Sequence, residues 1–243
     1  MKNKIKAFLQ NVVGYENYLF IFAIFKIYTL KFDNHEKSFM YFLKEVSAGM
    51  NVLDIGANIG VMTVLLAKEV KNGKVYAFEP MPSNFNILKK IVRFFDLNNV
   101  VLYNCALGDT TGLVEMATPV IDKSIGQGVS HVLHNTIEGY DSYVHKVKVP
   151  LKRLDDIEEI QQIRINAMKI DVENFENFVF NGATNILKTN ELLICCELWD
   201  NENRKKSFQI LNTVGYRPIV WNGRMLESFD ETKQQGINFL FKR

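Results

Sequence analysis

Short apolar runs of strand length alternate with helix-period segments along most of this chain. The runs are 51–55, 74–79, 100–107, 166–171, 191–198, 216–221 and 236–241. Helical periods fill 61–68, 84–95, 175–187 and 203–214. Ser83 reads as the N-cap of the second of these, and Gly215 as the C′ residue of the last. Strand–helix alternation predicts an α/β fold with a doubly wound, seven-stranded, mostly parallel sheet. The last two runs are expected to pair antiparallel at one edge. Residues 1–47 read as an N-terminal helical extension, and 48–243 as the sheet domain. Residues 110–150 break the alternation, and 118–131 is rich in turn formers. An irregular insertion is expected there, placed after the third strand to cover a ligand crevice and shape an acceptor site. Within it, 146–150 alternates like an added edge strand, and 154–163 reads as a helix or turn bearing acids.

The first strand ends in Asn51-Val-Leu-Asp-Ile-Gly-Ala-Asn-Ile-Gly60. Strand, glycine turn and helix are how a parallel sheet presents a nucleotide-like ligand at its carboxyl edge. Gly56 and Gly60 would let backbone approach a ligand closely, with Ala57 and Asn58 between them. A pyrophosphate binder wants G-x-G-x-x-G; here the glycines stand four apart and Asp54 precedes them. An anion beside the turn repels phosphate and suits a cation. S-adenosylmethionine, with an ammonium, a sulfonium and no phosphate, fits. Glu79 ends the second strand just before Pro80 and can accept both ribose hydroxyls. Cys105 and Ala106, at the end of the third run, would flank adenine.

Composition narrows the partners. Apolar residues make up 47% and charged residues 23% of 243 residues, an ordinary globular balance for a domain of this size. A net charge of +2 gives no basic surface for nucleic acid. Cys105, Cys195 and Cys196 form neither a disulfide framework nor a zinc spacing, and fit buried strand positions in a reducing cytoplasm. The apolar run 18–25 is far shorter than the roughly 20 residues of a membrane span. No small-residue cleavage site marks it as a leader. Aromatic residues at helical spacing usually bury against protein, so a helical cap over the sheet is expected. Lys2, Lys4, Lys6, Lys26 and Lys31 around it also suit peripheral contact of residues 1–31 with an anionic membrane surface, at its cytoplasmic face.

Further acids close the later strands: Asp171 the fourth and Glu197 the fifth, with Glu173 two residues beyond Asp171. Their strand ends face the same crevice as Asp54 and Glu79. Such a cluster calls for an offsetting cation. The sulfonium is one; a divalent metal held by Asp171 and Glu197 is another, which would acidify an acceptor hydroxyl. Backbone amides or the ligand ammonium would serve the same acids without metal. His131 and His134 lie in the insertion, where either could act as a general base. His35 and His145 point to nothing specific.

Together, Val52-Leu-Asp-Ile-Gly-Ala-Asn-Ile-Gly60, Ala77-Phe-Glu-Pro80, Asn104-Cys-Ala-Leu-Gly-Asp109, Leu151-Lys-Arg-Leu-Asp155, Lys169-Ile-Asp-Val-Glu173 and Glu197 make the chain resemble the FkbM family of S-adenosylmethionine-dependent methyltransferases over about residues 45–200. The resemblance implies a Rossmann-like class I methyltransferase fold. It also implies methyl transfer to a hydroxyl of a sugar, such as a surface glycan, or of a secondary metabolite. Under it Asp171, Glu197 or His131 would take the acceptor proton, and Asp171 would also lie against the donor. The family usually carries Gly where this chain has Asn174. Asn tolerates φ > 0, so the turn can survive; an Asn174 projecting into the crevice would instead alter acceptor choice or activity. Two other readings are carried forward: a nicotinamide-dependent oxidoreductase on a similar sheet, which the missing third glycine opposes, and a catalytically inactive donor-binding scaffold.

Overall fold

The computed structural model describes residues 10, 12–121, 124–125, 131–133, 144–232, 234 and 236–243. His134, Lys2, Lys4 and Lys6 lie outside the described residues.

All seven expected strands form one sheet. They are β1 (Val52–Ile55), β2 (Val75–Phe78), β3 (Val100–Tyr103), β9 (Ala167–Ile170), β10 (Leu193–Glu197), β11 (Arg217–Trp221) and β13 (Asn238–Lys242). An eighth, β12 (Leu226–Ser228), extends the edge, giving the order β12-β11-β13-β10-β9-β1-β2-β3. Its three residues, two half-buried and one exposed, carry too little alternation to mark a strand in the sequence. The strands from β3 to β10 run parallel, and β13, β11 and β12 pair antiparallel. The parallel strands β1, β2 and β9 are buried on both faces, as the covering helices require.

Four differences from the expected elements have physical causes. The third run breaks after Tyr103, and β4 (Ala106–Leu107) leaves the main sheet to pair with β8 (Val144–Lys152). Residues 146–150 therefore do not extend the main sheet. They belong to β8, which pairs antiparallel with β5 (Gly112–Ile121) to build a second sheet. Much of the supposed irregular insertion is thus a long hairpin, joined by β6 (Ser124–Ile125) and β7 (His131–Val132). The expected helix over 175–187 is two, Glu176–Asn181 and Thr184–Thr189, broken around Gly182. A Cβ on Gly182 would lie 1.9 Å from the carbonyl oxygen of Gly108, so close backbone approach sets the break. Finally, Ser83 is not an N-cap: the helix Pro82–Phe94 begins at Pro82, whose missing N–H costs nothing at that position. Gly215 does take the left-handed C′ conformation, at φ 90.

The lead-in supplies two helices, α1 (Tyr15–Thr29) and α2 (Lys37–Glu45), joined by short turns. Leu19, Ala23 and Ile27 of α1 bury against Ile59, Val64, Ile87 and Ile91, so the helical cap forms as expected. Phe39, Phe42 and Leu43 of α2 pack on the other side with Val52, Val75 and Leu240. Among the described residues no helix is long and apolar enough to cross a membrane.

Asp155, the acid of the Leu151–Asp155 motif, faces away from the crevice chemistry. Its carboxylate accepts from the N–H groups of Asn185 (2.9 Å) and Ile186 (3.1 Å), capping the helix Thr184–Thr189. We expect Asp155→Ala to cost about 1–3 kcal/mol, measured by urea unfolding, with ligand affinity at the sheet's carboxyl edge unchanged in the folded variant. A variant as stable as the parent would refute the capping role.

Candidate active site

Two adjoining hollows lie at the carboxyl ends of β1, β2 and β9. One is a slot between the β1 and β2 ends and the second sheet, lined by Glu79, Pro80, Met81, Cys105, Ala106 and Glu173 among others. The second is a cavity of about 390 Å³ between the turn after β1 and the N-terminal segment. Gly56, Asn58, Asn84 and Asp171 wall both.

The turn has a nearer need for glycine than ligand approach. Gly56 sits at φ 79, and a Cβ there would meet the carbonyl oxygen of Asp171 at 1.9 Å. Gly60 sits at φ 88 with the Leu88 side chain 2.7 Å from the same point. Gly60 lines neither hollow, whereas Ala57 and Asn58 wall the cavity. Asn58 takes φ 51 and turns its N–H onto Glu79 at 2.8 Å.

Glu79 stands where the second strand predicted it. Its other oxygen accepts from Met81 N–H at 2.9 Å. Asn104 fixes the same corner by donating to the Glu79 carbonyl at 2.8 Å. Burial pushes the Glu79 pKa up to about 7, against the pull of those amides. Cys105 and Ala106 are buried on the slot wall opposite.

Asp54 requires a correction. It is fully buried, accepts from the Thr63 hydroxyl at 2.6 Å and lines neither hollow. It therefore cannot touch a ligand directly. Its influence passes through Lys169, which pairs with it across β1 and β9. The Lys169 ammonium lies 3.0 Å from the Gly56 carbonyl, 3.5 Å from Asp54 and 3.8 Å from Asp171. Burial works against that charge, but Asp54 and Asp171 outweigh it and hold the Lys169 pKa above its ordinary value. The sequence motif contains Lys169, but no periodicity marks a lysine inside a buried strand as the charge partner.

Beyond Asp171 the backbone turns left-handed twice, at Glu173 (φ 54) and Asn174 (φ 72). Glu173 is thereby held on the slot wall, and burial followed by Asp171 raises its pKa to about 8. Asn174 accommodates the turn as expected and lines neither hollow. Its side-chain oxygen accepts from Asn201 at 2.9 Å, and its carbonyl from Asn203 at 3.0 Å. Glu176, a residue the sequence reading passed over, is buried beneath the turn and accepts from Val172 N–H and Asn174 N–H at 3.2 and 3.3 Å. Burial raises its pKa to about 8.

Glu197 ends the neighbouring strand and lines neither hollow. It accepts from the Trp199 indole at 3.3 Å, and burial followed by Asp171 raises its pKa. His131 is not on an open lid. It is buried in β7, and side chains alternate along a strand, so its neighbour Val132 faces the slot instead. Among the described residues no group of three or more His, Cys, Asp or Glu converges to hold a metal ion.

The raised carboxylates have a consequence for stability. Glu79, Glu173 and Glu176 have folded pKa values of about 7, 8 and 8, above the ordinary 4.5. Their contribution is complete at low pH and is lost as each ionises in its buried place. We expect the melting temperature of the ligand-free protein to fall from about pH 4.5, where the unfolded carboxyls ionise, to about pH 8, where the folded ones have ionised, and Glu176→Gln to flatten part of that slope. A flat profile in the parent protein would contradict the raised values.

This geometry agrees with the comparisons to known proteins. The Methyltransferase FkbM domain matches residues 54–231. The chain is 26% identical over 142 residues to Methyltransferase 1 of Beauveria bassiana (strain ARSEF 2860), covering 54% of this chain and 57% of that protein. It is 26% identical over 179 residues to Methyltransferase sdnD of Sordaria araneosa, covering 65% of this chain and 68% of that one. The chain thus spans little more than half the length of the first relative. The solved structure of methyltransferase FkbM from Methylobacillus flagellatus KT has the same fold, with a TM-score of 0.50 and 16% identity, over 81% of this chain and 44% of that one. The donor set fits the family's methyl donor. The acid Glu79 stands at the end of the second strand, the turn lacks a three-glycine phosphate cradle, and acids rather than bases line the slot. The chain belongs to the FkbM family of S-adenosylmethionine-dependent methyltransferases, with their Rossmann-like class I fold.

Proposed function

We propose that this protein transfers a methyl group from S-adenosylmethionine to a hydroxyl oxygen of a sugar or secondary-metabolite acceptor, a surface glycan being the favoured class. The observation that carries this reading is Asp171, a half-exposed carboxylate that walls both hollows and is flanked by Glu173 and Glu197. Membership of a methyltransferase family leaves the nicotinamide alternative without support.

The bound donor supplies a methyl group already activated on sulfonium. The chain's own task is therefore mostly positioning. Glu79 takes the ribose hydroxyls, while Cys105 and Ala106 flank the adenine. Asp171 and Glu173 offset the sulfonium charge at the point where the hollows meet. Of the candidate bases, Asp171 walls both hollows and is suited to accept the acceptor's proton, while Glu197 ends the adjoining strand beside it. The fully buried Asp54 and Lys169 hold the turn and Asp171 in register.

The N-terminal helix also bears on the acceptor. Ile21, Phe25 and Tyr28 recur along its solvent side, Phe32 ends the turn after it, and all four are exposed. Lys31 lies over the Phe32 ring at 4.9 Å, and Lys68 over the Phe95 ring at 4.6 Å. Aromatic rings bordered by ammonium groups suit an anionic lipid surface, where a lipid-linked acceptor would be met.

Two tests follow. Methyl-labelled donor, incubated with a pooled cell-envelope carbohydrate extract, is expected to yield label in an O-methyl sugar after hydrolysis. Asp171→Asn should lower that turnover by about 10²- to 10⁴-fold. Label appearing only on nitrogen, or full turnover by the variant with donor affinity unchanged, would refute the reading. Separately, Phe25→Ser with Phe32→Ser should abolish co-sedimentation with phosphatidylglycerol vesicles while leaving neutral phosphatidylcholine vesicles unbound by either protein. Equal sedimentation of parent and variant would refute the lipid contact.

A further inference from the structure

The family match begins at Asp54, so the N-terminal helices and the turns between them lie before the matched residues. Yet they supply one whole wall of the 390 Å³ cavity, through Leu19, Phe22, Lys26, Leu30 and Glu36. Four of these have clear roles. Leu19 and Leu30 are core residues, and Phe22 packs beside them. Lys26 bonds to Asp33 at 2.9 Å. Glu36 has none.

Its position is nonetheless constrained. Glu36 closes the short 3₁₀ turn Asn34–Glu36, and its N–H donates to the Asp33 carbonyl at 3.3 Å. Asp33 is tied to α1 by Lys26 and accepts from His35 N–H at 3.1 Å, so the turn is anchored at its start. The helix α2 follows at once, with Phe39 and Phe42 sunk in the core. Between these anchors the Glu36 side chain is half-buried against the cavity, and its carboxylate accepts no hydrogen bond from another described residue. Burial raises its pKa, and the like charge of Asp171 raises it further. Two carboxylates facing one hollow, one of them without a partner, are a costly arrangement unless something positive enters.

The other charges in the cavity indicate what enters. Lys26 and Lys169 line it together with Glu36 and Asp171. Both signs around one hollow are what a zwitterion needs, and the donor carries one at its amino acid end. With the ribose at Glu79 in the slot, that end must cross the shared wall of Gly56, Asn58 and Asp171. The cavity is where it arrives. An uncharged acceptor hydroxyl in the same place would leave Glu36 without a cationic partner.

We propose that Glu36 is a donor-binding residue whose carboxylate, with that of Asp171, holds the α-ammonium of S-adenosylmethionine. The proposal rests on the donor reading above and adds to it a residue outside the family domain. It makes the N-terminal segment part of the active site rather than only a cap on the sheet.

The test is calorimetric titration of the full chain, parent and Glu36→Gln, with S-adenosylmethionine and with 5′-methylthioadenosine. The second ligand keeps the adenosine and the sulfur but lacks the amino acid end. Glu36→Gln should weaken S-adenosylmethionine by about 10- to 100-fold and leave 5′-methylthioadenosine within about twofold of the parent. Glu36→Asp should recover part of the loss. Unchanged affinity for S-adenosylmethionine would overturn the assignment. So would an equal loss for both ligands, since that marks a general disturbance of the fold. A parent protein that binds neither ligand would defeat the donor reading itself, which is a distinguishable result.

Discussion

One buried ammonium organises the carboxyl edge of this sheet. Lys169 projects from β9 beside Asp54 of β1, reaches the Gly56 carbonyl and ends near Asp171. A lysine can remain charged in such a place only where anions and carbonyl oxygens replace its water. Here they come from the first strand, the turn after it and the end of the fourth parallel strand. The turn conformation, the placement of Asp171 and the wall between the two hollows all depend on that contact.

The same edge carries more negative charge than Lys169 can balance. Burial, and after it the charge of Asp171, raises the pKa values of Glu173, Glu197 and Glu36. The backbone accepts consecutive left-handed residues at Glu173 and Asn174 to hold this arrangement, which is the kind of local strain that persists at functional sites. A cation entering the crevice would relieve it.

The second sheet serves the site by shape. Met116 and Val132 reach the slot from β5 and β7, and Met81, Ala106 and Phe175 pack with them. The slot thus lies between two sheets of different construction: a parallel one that supplies charge at its strand ends, and an antiparallel one that supplies an apolar face. On the opposite flank the N-terminal segment closes the cavity, so three separate parts of the chain enclose the two hollows.

Period and punctuation in the sequence were enough for the seven main strands, their direction and the acids that end them, because strand alternation, glycine turns and strand-end placement are local properties. That Glu79, Cys105, Ala106 and Asp171 line one slot follows for that reason, and so does the left-handed turn at Asn174. Other features depend on neighbours distant in the chain. Asp54 and Asp171 look alike as strand-ending acids, yet Thr63 and Lys169 bury one and leave the other at the crevice. His131 looked like a loop histidine until β5 supplied it with a strand partner. Glu36 carries no motif, and only the packing of the lead-in on the turn after β1 brings it opposite Asp171. Local chemistry determined which residue types stand at the strand ends. Burial and charge pairing, which exist only once the chain has folded, decided which of them can reach a ligand.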